Sequence, residues 1–223
     1  MPSNNTVSRF LPHLQQFVTM FFTFTMVGYF KQFSDTFHLS TKPAIDFSDS
    51  SQVLILVSFF VTLFWIVTAW LGYNMLTERY PYTLDFSRFF FDVARFSLLN
   101  FMMSFAFLAG AIASFHVYIL SFALWHGMMV GWNVVQAGKA TDSERRREAQ
   151  KDLASHGVRA GTYLVLGLAY YFAVATRSGQ PDASVWRYVI AAAVFGVTIL
   201  WNTRRIAEMR ARAVADTVPV AAS

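Results

Sequence analysis

From Phe89 to Gln136 the chain runs almost unbroken through apolar residues, with one acid–base cluster at its start and one isolated histidine, His126, near its end. A membrane crossing takes about 20 apolar residues at about 1.5 Å rise each. The stretch is too long for one crossing, so it is expected to fold back as two helices. Its few ionisable groups then lie in or against lipid, where they are costly and mark the first place to look for function.

Composition points the same way. Only 14% of the 223 residues are charged, against about 25% in soluble domains, and mean hydropathy is +0.40. A soluble helical domain with 24 Phe would lack the polar surface to stay dispersed. With no Cys, disulfides, thiolate chemistry and Cys-ligated zinc or iron–sulfur clusters are excluded. Arg9 precedes an apolar run that ends in Gly28-Tyr29-Phe30-Lys31-Gln32 with no small-residue cleavage site. The first helix is therefore expected to stay in the mature protein.

Six crossings are predicted, over 10–30, 53–73, 89–109, 115–135, 157–176 and 185–203, with a tight turn near Gly110–Ser114. A basic cytoplasmic loop is predicted over 137–156 and a cytoplasmic tail over 204–223. Alternating sides from a cytoplasmic N-terminus puts thirteen of the 18 basic residues on the cytoplasmic side. Only Lys31, Lys42, Arg177 and Arg187 fall on the other, and Arg95 falls within a crossing. That bias is how membrane proteins orient themselves, and it explains the net charge of +5 without nucleic acid. Trp70, Tyr73, Trp132, Trp186, Tyr188 and Trp201 lie near predicted helix ends, where headgroups favour amphipathic rings. The expectation is an all-α integral membrane protein, a bundle of six transmembrane helices with N- and C-termini cytoplasmic. It would sit in a bacterial inner membrane, as a homo-oligomer or as a subunit of a membrane complex.

Arg88, Asp92 and Arg95 are spaced i, i+4 and i+7 on the third helix and share one face. One reading is a charged gate, an anion site or part of a proton path. The other is an interfacial anchor whose arginines snorkel to the headgroups. His126, between Trp125 and Gly127, needs a partner in the membrane interior. The expected one is a Thr of the first helix or Asn100. Ligation of haem or a chlorophyll-type magnesium is the alternative, and nothing else in the sequence requires a cofactor. Gly127 and Gly131 form a small-xxx-small pattern that admits close helix packing. Gln16, Thr19 and Thr23 form a polar stripe on the first helix that either lines a hydrated path or bonds its own backbone.

No hydrolase, metalloprotease, phosphate-loop or dinucleotide motif is present. The five histidines look scattered, and His13 and His156 have no carboxylate cluster to hold a metal. The expected function is a small ion or solute channel or transporter subunit. The alternative is a non-catalytic structural or accessory subunit of a larger complex. An intramembrane lipid enzyme ranks last, since Asp92 has no nucleophile or metal set beside it.

Overall fold

The computed structural model describes residues 4–39, 45–79, 86–140 and 143–217. Among them are six helices and no strand: α1 (Asn4–Thr36), α2 (Ser50–Arg79), α3 (Phe86–Ala106), α4 (Phe115–Lys139), α5 (Ser143–Ala173) and α6 (Pro181–Thr217). Five contain stretches long and apolar enough to cross a membrane: Ser50–Met75, Phe89–Gly110, Phe115–Lys139, Arg145–Arg177 and Asp182–Ala211. α1 is the exception. Gln15 and Gln16 towards one end and Lys31 and Gln32 towards the other lower its hydropathy.

The hairpin predicted for the central stretch is present. α3 tightens into a 3-10 turn over Phe107–Gly110 and reverses through Ala111–Ser114 into α4. Gly110 allows this reversal to press on α2, because a Cβ there would lie 2.7 Å from Ile55 Cδ1. Arg187 of α6 closes the same end. Its Nη2 donates to the carbonyls of Gly110 (2.7 Å) and Ala109 (3.3 Å). A cation is favoured there, where carbonyls at a helix C-terminus have lost their own donors.

The basic segment expected over 137–156 is helical over most of its length. α4 runs on to Lys139 and α5 starts at Ser143, so the Arg145-Arg146-Arg147 run is the opening of a helix. Glu, Arg, Ala, Gln and Lys dominate residues 144–151, and all favour helix over coil. α6 likewise continues well past its apolar part to Thr217.

Aromatic stacking sets the register. α1 runs antiparallel to α2, with Phe22 stacked on Trp70 (4.2 Å), Tyr29 on Phe59 (4.6 Å) and Phe33 on Phe59 (4.0 Å). Each such pair contributes about 0.5–1.5 kcal/mol beyond simple burial. α4 and α5 form the most extensive helix pair, meeting at Phe115 and Tyr170 near the hairpin and at Phe122 and Tyr163 further along. Gly167 makes that closeness possible, since a Cβ there would sit 2.6 Å from Leu120 Cδ2. In lipid such packing replaces the hydrophobic drive that assembles soluble bundles. The bundle thus has a hairpin end, closed by Arg187, and a basic end, marked by Lys139 and Arg145.

Candidate functional site

Towards the basic end, α3, α4, α5 and α6 turn polar side chains inward. On α4 the buried face carries Phe115, Tyr118, Ile119, Ser121, Phe122, Trp125, His126 and Asn133, mostly apolar or aromatic until His126. On α5, His156, Arg159 and Tyr163 recur at i, i+3 and i+7, and therefore share a face. On α6, Thr198, Asn202 and Arg205 recur at i, i+4 and i+7 in the same way.

These faces meet at a histidine pair. His126 Nδ1 and His156 Nδ1 are 2.9 Å apart, and both residues are buried. One nitrogen must carry the proton and the other accept it, so the two rings adopt opposite tautomers. The His126 ring also lies parallel to Tyr163, at 5.7 Å and 5°. The Tyr163 hydroxyl donates to Thr198 Oγ1 (2.7 Å), whose own proton goes to the Val194 carbonyl (2.7 Å).

Arg95 approaches from α3. It is 6% exposed, and its guanidinium lies over the rings of Phe96 (5.1 Å), Tyr73 (5.5 Å) and Trp125 (5.6 Å). Its Nη1 is 3.7 Å from Asp92 Oδ1, a contact within ion-pair range but too long for a hydrogen bond. Its Nε and Nη2 are buried and make no hydrogen bond among the described residues. Cation–π contacts satisfy the faces of a guanidinium, but its N–H groups point outward in its plane. Each buried donor left unbonded costs about 1–3 kcal/mol.

Two more arginines join this group. Arg159 lies over Trp201 at 5.5 Å. Arg205 rests against α2, where a Cβ on Gly72 would be 3.0 Å from its Nη2, and its buried Nε has no partner among the described residues. Arg159 and Arg205 act electrostatically on both histidines, and Arg95 acts on His156 and Arg205. The compensating carboxylates Asp152 and Glu208 are exposed. Among the described residues Asp92 is the buried acid, paired with Arg95, while Asp152 and Glu208 offset Arg159 and Arg205 from the exposed side.

The two sequence candidates are therefore one site. Asp92 and Arg95 are both buried within the bundle. Arg95 contacts Trp125, the neighbour of His126. The Arg88 side chain lies outside the described residues. The expected partner of His126 is corrected as well: His156 takes its Nδ1, while Asn100 sits half-buried on α3. Gln16, Thr19 and Thr23 lie on the outer face of α1, and Thr23 donates to the Thr19 carbonyl (2.9 Å). A Cβ at Gly127 or Gly131 would meet nothing within 4 Å, so the close helix approach falls at Gly167 instead.

Reading the sequence missed His156, Arg159, Tyr163 and Arg205 as one group with His126. The i, i+3, i+7 spacing of the first three is the signal in the sequence, and a fifth crossing that begins at Gly157 leaves His156 outside it. Among the described residues no three His, Asp or Glu side chains gather in a way that holds a metal ion. No family model, curated protein or solved structure matches the chain.

Proposed function

We propose that this chain is a small membrane transport protein, a channel or transporter subunit whose path passes through the Arg95–His126–His156 centre. The observation that carries the reading is the burial of Arg95 and the histidine pair between apolar helices. Charged and titratable groups inside a membrane bundle are expensive, and they characterise substrate paths and proton relays. Six crossings follow if α1 spans together with α2. Its antiparallel stacking along α2, from Trp70 to Phe59, supports that. The bias of basic residues towards one side supports cytoplasmic termini, and a bacterial inner membrane is the proposed location. A second reading, an accessory subunit of a membrane assembly, is favoured by Gly127 and Gly131, which present an outward small-residue face on α4.

The test is flux in proteoliposomes with potassium, chloride, phosphate and protons as probes. At least one flux should exceed that of empty vesicles, and Arg95→Gln and His126→Ala should return it to that background. Background flux for all four probes with the wild-type chain overturns the transport reading and leaves the accessory one.

A further inference from the structure

The geometry points to a phosphate group, free in solution or on a lipid headgroup, as the ligand of this centre. The proposal deepens the transport reading and rests on it only for the claim that what binds is also carried.

The two unbonded donors of Arg95 are Nε and Nη2. They lie on the same edge of the guanidinium, the edge that grips two oxygens of an oxyanion side by side. Asp92 is at the other end, on Nη1, so it neutralises part of the charge without occupying the fork. Aromatic rings cover the guanidinium faces, which holds the fork in one orientation.

A second set of donors comes from α6. Asn202 is 4% exposed and its Nδ2 has no partner among the described residues, and the same holds for the buried Nε of Arg205. These residues are one turn apart on one helix face, and Arg205 lies against Gly72 of α2, the neighbour of Tyr73, over whose ring the Arg95 guanidinium sits. A carboxylate satisfies one fork. A tetrahedral phosphate has oxygens left for donors arriving from a second helix. Arg95 and Arg205 bring two positive charges to these donors, and the carboxylate that could answer Arg95 sits on Nη1, away from the fork, so an anion is the ligand that the charges favour.

The experiment uses the full chain in nanodiscs of digalactosyl diacylglycerol, a lipid without phosphate. Inorganic phosphate is titrated while Trp fluorescence and the thermal midpoint are followed, with chloride at equal ionic strength as the control. A second arm replaces part of the lipid with phosphatidate. The expected result is a saturable fluorescence change and a raised midpoint with phosphate or phosphatidate, and none with chloride. A response to free phosphate identifies a soluble ion, and a response to phosphatidate alone identifies a headgroup. Arg95→Lys keeps the charge and loses the fork, and should weaken binding about tenfold or more. Asn202→Ala should also weaken it, while sparing the ion pair. No response in either arm from folded wild-type chain overturns the proposal, as does an undiminished response in Arg95→Lys. Binding is read without flux. Flux without phosphate binding therefore sinks this inference and spares the transport reading, and binding without flux does the reverse.

Discussion

His126 and His156, thirty residues apart in the chain, face each other Nδ1 to Nδ1 at 2.9 Å inside a helix bundle. One hydrogen serves both rings, so neither side chain is satisfied without the other. Two properties follow. Nitrogen NMR of the labelled chain should show one ring protonated at Nδ1 and the other at Nε2, and identical tautomers would contradict the geometry. In SDS-titration unfolding, His126→Ala and His156→Ala should each cost about 1–3 kcal/mol, because each strands a buried partner. The double variant should cost clearly less than their sum, as expected of residues in direct contact.

Asp92 is the buried acid beside Arg95. Asp92→Asn removes its charge at nearly constant volume and leaves the guanidinium without its counter-charge. Removing one partner of a buried pair costs on the order of 3 kcal/mol. The thermal midpoint should fall accordingly, while Asp92→Asn combined with Arg95→Met should recover part of the loss. If the chain is indifferent to Asp92→Asn, the pair contributes nothing to the fold.

Two glycine positions should behave oppositely. Gly167→Ala puts a methyl 2.6 Å from Leu120 and should cost about 1–3 kcal/mol as α4 and α5 are forced apart. Leu120→Ala in the same chain should relieve much of it. Gly127→Ala meets nothing within 4 Å and should change stability by no more than about 0.5 kcal/mol. Any larger effect of Gly127→Ala that grows with protein concentration would locate a contact between copies.

The segment before α2 has its own pH response. Ser48 donates to Asp46 Oδ1 through its hydroxyl (2.6 Å) and its amide (2.8 Å), and these bonds hold the Asp46 carboxyl below its ordinary value of 3.8. A depressed carboxylate contributes order above its ordinary pKa and loses it as pH falls through the lowered one. The turn should therefore be intact at neutral pH and loosen only below about pH 3.8. Amide exchange at Ser48, extrapolated for intrinsic rate, should accelerate there and also in Asp46→Ala at neutral pH. Equal protection in wild type and Asp46→Ala would count against the bond.

How much of this was legible depended on range. The α3–α4 hairpin and its tight turn follow from apolar length alone, which is why Phe89 to Gln136 yields two helices without ambiguity. The charges of 143–156 set it apart from the fifth crossing, yet Glu, Arg and Ala are as helical outside lipid as within it, and both belong to one helix. The stripe Gln16, Thr19, Thr23 was an even choice, and two forces put it outside. Thr23 bonds its own backbone and needs no partner helix, and Phe22 and Tyr29 gain more by stacking on α2. The histidine pair was beyond reach for a different reason. Meeting at Nδ1 requires α4 and α5 to be rotated and slid to within a fraction of a turn, and that is decided by the Gly167–Leu120 contact and the aromatic register. A single histidine on a helix carries no trace of it.

The clasp of Arg187 on the Ala109 and Gly110 carbonyls fixes α6 to the α3–α4 hairpin. Arg205 rests on Gly72 of α2 further along the same helix. Eighteen residues separate the two arginines, about 27 Å at about 1.5 Å rise per residue. One continuous helix is thus held by a cation at both extremities, and a change in its tilt alters both contacts at once.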